Sequence, residues 1–101
     1  MIKISVKHID ENAVDGLAEI FLKDNESWEK ISVILPSLSS DGIRVYHDGR
    51  VRESHLEEHH PKPIFTDEIQ INITGWFYIH YELHIELKEE YTLIYITDKG
   101  I

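Results

Sequence analysis

The chain has 101 residues, 42% of them apolar, and its 19 acidic against 10 basic side chains give a formal charge of −9. That excess argues against nucleic acid and against anionic membrane surfaces as partners, since both would repel it. With no cysteine there is no disulfide framework, no thiolate metal site and no cysteine nucleophile.

The length points to one domain over residues 1–101, able to bury roughly two-thirds of its unfolded surface. Two Trp, five Tyr and three Phe mark a globular chain. The opening "MIKISVKHIDE" lacks the apolar core of a secretory signal. No apolar run reaches the roughly 18 to 20 residues of a membrane span. The expected compartment is the cytoplasm, where the sequons Asn25-Glu26-Ser27 and Asn72-Ile73-Thr74 are chance matches.

The dominant period is two. In "IKISVKHI", Ile2, Ile4 and Val6 alternate with Lys3, Ser5 and Lys7, the pattern of a half-buried strand. Asp10 to Leu35 reads two ways. Ala13, Val14, Leu17, Ala18 and Phe21 fall at helical spacing behind a candidate N-cap, Asp10, which suggests one helix over residues 11–23. Gly16 interrupts that pattern at a cost of about 1 kcal/mol. The favoured reading is a hairpin of "LAEIFLK" and "WEKISVIL" joined by Asp24-Asn25-Glu26-Ser27, four turn-forming residues.

"SLSSDG" reads as a loop, and "GIRVYHDGRVRES" as a second hairpin turning at Asp48-Gly49. Ser54 to Pro63 reads as a loop closed by two prolines. "IQINIT" alternates again. In "FYIHYELHIELK" the alternation runs unbroken, with Phe77, Ile79, Tyr81, Leu83, Ile85 and Leu87 on one face. At about 3.3 Å per residue those twelve residues would form a strand of roughly 40 Å, long enough to bend or bridge two sheets. "KEE" then makes a hairpin connection to a last strand, "YTLIYIT". The fold expected is mainly β: an antiparallel meander, sandwich or open barrel of about seven or eight strands. Its alternative is α+β, with the 11–23 helix packed on an antiparallel sheet.

The histidines raise the question of a metal. His80-Tyr81-Glu82-Leu83-His84 differs from the H-E-x-x-H zinc motif, because the glutamate is one position late and the segment alternates as a strand. On one strand His80 and His84 lie about 13 Å apart, too far to share an ion. Glu82 and one histidine could share an ion only with rotamers leaning together. The cupin barrels place two histidines two apart, and no H-x-H occurs here. A second cluster, His55, Glu57, Glu58, His59 and His60, lies in the proline-bounded loop. Both clusters read as polar surface, so neither a metal nor any other cofactor is expected. There is no G-x-S-x-G, G-x-G-x-x-G or P-loop, and no enzymatic activity is expected.

The acidic residues are unevenly spread. Asp10 to Glu29 holds seven carboxylates against one cation, Lys23, and the closing hairpin adds Glu82, Glu86, Glu89 and Glu90 around Lys88. Arg44, Arg50 and Arg52 gather at the middle hairpin. Trp76 and Tyr78 would share a strand face with Glu82 and Glu86, an aromatic anchor within an acidic rim. In composition the chain is similar to immunity proteins of bacterial nuclease toxins, which cover a basic cleft with carboxylates. The expectation is an acidic protein-binding module that takes a basic partner such as a nuclease toxin. Asp24, Glu26, Glu29, Trp76, Tyr78, Glu82, Glu86, Glu89 and Glu90 are its contacts. The rivals are a small metal-dependent β-barrel enzyme using His80, Glu82 and His84, and a homodimer or larger homo-oligomer pairing edge strands. Protonating all seven histidines would take the charge from −9 to −2, so affinity for a basic partner should fall between roughly pH 7 and 5.

Overall fold

The computed structural model describes residues 2–10, 17–34, 42–53, 58–59 and 62–100. The chain is mainly β, and the described strands form two open sheets around one apolar core. The four-stranded sheet is built from β1 (Lys3–Ile9), β2 (Ala18–Asp24), β3 (Ser27–Ile34) and β7 (Glu68–Thr74), in the order β1-β7-β2-β3. The five-stranded sheet is built from β4 (Ile43–Tyr46), β5 (Val51–Glu53), β6 (Glu58–His59), β8 (Tyr81–Leu87) and β9 (Tyr91–Asp98), in the order β6-β5-β4-β9-β8. All pairings are antiparallel except β1 with β7, which is parallel, Lys3 standing level with Glu68. The mainly β, antiparallel-rich architecture is the one expected, with this parallel pairing as its one difference among the described strands.

Period-two alternation sends one side of each strand inward. Ala18, Ile20 and Leu22 of β2, Ile69, Ile71 and Ile73 of β7, Ile43 and Val45 of β4, and Ile94 and Ile96 of β9 are all buried. The hairpin reading of residues 18–34 holds: β2 and β3 pair from Ala18 with Ile34 to Asp24 with Ser27. Asn25 takes a left-handed φ of 59° in the turn between them. A helix over 18–23 is thereby excluded, and residues 11–16 lie outside the described residues. The Asp48-Gly49 turn also holds, with Gly49 at φ 92° and Tyr46 N–H donating to Arg50 C=O at 2.8 Å. The loop expected over Ser54 to Pro63 contains the two-residue strand β6, whose His59 stands level with Arg52. The rest of it, apart from Lys62 and Pro63, lies outside the described residues, as does "SLSSDG" apart from Gly42.

The largest correction falls on "FYIHYELHIELK". Its first part is not strand but a single helical turn, α1 (Gly75–His80), and β8 begins only at Tyr81. Thr74 is the N-cap; its Oγ1 accepts from Phe77 N–H at 3.4 Å, the bond that favours Thr at that position. Topology overrides strand propensity here. β7 ends in one sheet and β8 starts in the other, and packed sheets stand roughly 10 Å apart. The helical turn makes that step and drives Phe77, 0% exposed, into the core. Ile79, expected on the same inward face, is 53% exposed. No helix among the described residues is long and apolar enough to cross a membrane.

Candidate functional site

Strand direction places three turns and a crossing loop at one end of the molecule. β1 and β7 both start there, Lys3 N–H donating to Asp67 C=O at 2.8 Å. β2 ends there, because Leu22 stands level with Ile69 and Lys23 Nζ reaches Glu68 Oε2 at 3.4 Å. A cavity of about 350 Å³ is walled by Ile2 and Asp67 from the four-stranded sheet and by His47, Leu87 and Lys88 from the other. The β4–β5 and β8–β9 turns therefore share this end, and His47 N–H donates to Glu90 C=O at 2.9 Å.

The cations at this end are held within the chain. Lys3 and Lys23 both pair with Glu68, at 3.8 and 3.4 Å, and Lys88 lies 4.0 Å from Glu86. Arg50 Nε bonds Asp48 Oδ2 at 2.8 Å while its guanidinium lies 4.2 Å from the centroid of the Tyr46 ring. Hydrogen bonds from the Arg50 side chain, then from its backbone N–H, hold the Asp48 carboxyl below its ordinary range. The same pairing raises Arg50. Arg44 lies over Tyr91, whose ring meets Tyr46 in a tilted contact, so Arg44 and Arg50 both rest on aromatic rings of their own sheet.

Asp24, Glu26, Asp67, Glu89 and Glu90 form no ion pair among the described residues, and they surround this end. Phe65, 73% exposed, and Leu87, 61% exposed, are its apolar features. Phe65 belongs to the crossing loop, and its ring approaches Gly49 so closely that a Cβ there would lie 3.1 Å from it. The end thus presents an aromatic and an aliphatic side chain within a rim of carboxylates, Glu89 and Glu90 sharing a hollow with the Asp48–Arg50 pair.

Four of the nine expected contacts, Asp24, Glu26, Glu89 and Glu90, meet here. The other five do not. Glu29 is half-buried along β3, level with Leu22. Glu82 and Glu86 lie on the outer face of β8, and Trp76 and Tyr78 sit on α1 at the opposite end. The shared strand face expected for Trp76, Tyr78, Glu82 and Glu86 is therefore undone by the helical turn. Trp76 rests on His80 with ring centroids 4.4 Å apart, and Tyr78 on His8 at 4.3 Å. Asp67, Phe65 and Leu87 escaped the sequence reading. The signal for Phe65 is present in "PKPIF", a large aromatic two residues after the loop's second proline.

His80 and His84 fall on different elements. His80 closes α1, whereas His84 stacks on Tyr95, with Nε2 2.7 Å from Thr97 Oγ1 and 3.5 Å from Glu82 Oε2. Glu82 and His84 do lean together, but no group of three His, Asp or Glu among the described residues is placed to hold a metal ion. His55, Glu57 and His60 lie outside the described residues. Comparison of the chain with protein-family models, with curated proteins and with solved structures finds no match to any.

Proposed function

We propose that this chain is an acidic protein-binding module that occludes a basic partner, in the manner of an inhibitor or immunity protein acting on a nucleic-acid enzyme in the cytoplasm. The observation that carries this reading is the end built from Asp24, Glu26, Asp67, Glu89 and Glu90 around Phe65 and Leu87. Interfaces combine a large apolar anchor with a polar rim, and rim charge governs the rate of encounter. These carboxylates, of which only Glu90 feels the charge of Arg50, would meet a partner's Lys and Arg side chains as phosphates do in a nucleic-acid cleft. The cations of the same end are tied to internal carboxylates or lie over the Tyr46 and Tyr91 rings, so they reduce that field without being free to meet a partner.

Affinity capture from the native host, at low and at high salt, tests the reading. Wild type should recover one basic protein at low salt and lose it at high salt. A variant carrying Asp24→Lys, Glu26→Lys, Glu89→Lys and Glu90→Lys should recover none, and adding wild type to the recovered partner should suppress its nucleic-acid activity. Equal capture by wild type and the reversed variant would sink the proposal.

A further inference from the structure

The two sheets do not close along the side where β1 and β8 face each other. Among the described strands each is the edge of its own sheet, and between them runs an open seam. A groove of about 540 Å³ occupies its α1 half, lined by Val6, His8, Ile73, Leu83 and Ile85, and the smaller cavity at Ile2 and Leu87 occupies the other half. Val6, on the inward face of β1, is 43% exposed because nothing in the five-stranded sheet covers it.

Both edges turn backbone groups that bond no described residue toward this seam. Lys3 N–H bonds Asp67 C=O, so the odd residues of β1 turn their amides to β7, and alternation turns those of Ile4, Val6 and His8 outward. On β8, Lys88 N–H bonds Tyr91 C=O and Lys99 N–H bonds His80 C=O. The even residues therefore bond β9, and the amides of Tyr81, Leu83 and Ile85 point outward. The residues with outward amides are the same ones whose side chains face the interior. The outer faces of the two edges differ in charge: Lys3, Ser5 and Lys7 on β1, and Glu82, His84 and Glu86 on β8.

We infer that the seam is covered by a second copy of this chain, related by a two-fold axis parallel to the strands. That axis lays β1 of each copy antiparallel to β8 of the other, so each four-stranded sheet continues into the other copy's five-stranded sheet. Rotation about such an axis keeps every residue at its own level. Ile2 and Leu87 line one cavity, and Val6 lines the other with Tyr81, Leu83 and Ile85; a register compatible with both sets Ile2 level with Leu87 and Val6 level with Leu83. Ile4 then bonds Ile85 and Val6 bonds Leu83 across the interface. Lys3 stands opposite Glu86, Ser5 opposite His84, and Lys7 opposite Glu82. A slip of two residues one way sets Lys3 against Lys88, and the other way sets Lys7 against His80. An axis perpendicular to the strands pairs β1 with β1 and β8 with β8, which brings Lys3 against Lys7 and Glu82 against Glu86. The charges select the first arrangement, since like charges directly opposed on adjacent strands destabilise the pairing. This contact borders the acidic end, sharing Ile2 and Leu87 with it, but it does not rest on the function proposed there, and its readout, the oligomeric state, is distinct from partner capture.

Light scattering on the whole chain should give twice 11.9 kDa, with the dimer persisting on dilution to micromolar concentration. Lys3→Glu with Lys7→Glu should give a monomer, as should Glu82→Lys with Glu86→Lys. An equimolar mixture of the two should restore a dimer, which also shows that both variants fold. Oxidation distinguishes the pairings, because the chain has no cysteine of its own. Ser5→Cys mixed with His84→Cys should form a disulfide-linked pair, and Ser5→Cys alone should not. A wild type that stays monomeric at every concentration would overturn the inference. So would cross-linking of Ser5→Cys to itself.

Discussion

The rings of Phe77 and Tyr81 stand 5.5 Å apart between centroids, Phe77 inside the helical turn and Tyr81 on the first residue of β8. Together they place the point where the chain leaves one sheet for the other. Phe77 is fully buried and Ile79, two residues on, is half exposed. Phe77→Ala should therefore cost about 3–5 kcal/mol, whereas Ile79→Ala should cost well under about 1 kcal/mol. Urea unfolding of both variants checks this. Equal losses would restore the continuous strand, in which both residues face inward.

The cap that starts the turn also ties it to the hairpin strand β2. Thr74 Oγ1 accepts from Phe77 N–H and, at 3.5 Å, from Leu17 N–H, while Thr74 N–H donates to Leu17 C=O at 3.2 Å. Thr74→Ala should lower stability by about 1–2 kcal/mol, and Thr74→Ser should recover most of that. The midpoints of thermal unfolding for the two variants decide it.

Thr92 presents the opposite case. Its side chain is buried between Val45 and Leu87 of the neighbouring strands, and its hydroxyl has no hydrogen-bond partner among the described residues. A buried, unsatisfied hydroxyl costs about 1–3 kcal/mol, and valine has nearly the same shape. Thr92→Val should raise the melting temperature by roughly 5 °C. Calorimetry showing a lower melting temperature would mean that the hydroxyl is satisfied in solution.

Acid should weaken the middle hairpin in a defined direction. Hydrogen bonds from Arg50 hold the Asp48 carboxyl below its ordinary value of 3.8 in the folded chain. A carboxyl lowered on folding stabilises the fold above its unfolded value and loses that contribution as pH falls through its folded value. The melting temperature of wild type should exceed that of Asp48→Asn most clearly above about pH 4, with the gap closing in stronger acid. A gap that widens on acidification would contradict the pairing.

Most of the strands were legible in the sequence because burial on one face leaves a period of two, and the turns at Asn25 and Gly49 because few residues accept a positive φ. What alternation does not carry is which strand neighbours which. "FYIHYELHIELK" alternates perfectly, and its division at Tyr81 follows from the need to change sheets, a constraint that local pattern does not encode. The parallel pairing of β1 with β7 was hidden for the same reason. The candidate site was half legible: charge marked Asp24, Glu26, Glu89 and Glu90, whereas grouping them with Asp67, Phe65 and Leu87 required knowing which turns share an end. Trp76 and Tyr78 were placed with the acidic residues by a strand that does not exist as one piece.

The position of β9 carries a consequence for biosynthesis. It follows β4 and β8 in sequence, yet it lies between them, bonded to both. Among the described strands β4 and β8 do not pair directly, and β1 waits for a partner that follows it by about 65 residues, Lys3 for Glu68. Neither sheet can be completed in the order in which the chain is made. During translation, at about 5–20 residues per second, the nascent chain holds β4 and β8 with their edges unsatisfied until β9 arrives between them. Assembly dominated by such distant pairings is intrinsically slow. The abundant carboxylates along the incomplete chain, which repel other copies of it, then protect those edges before there is a fold to protect.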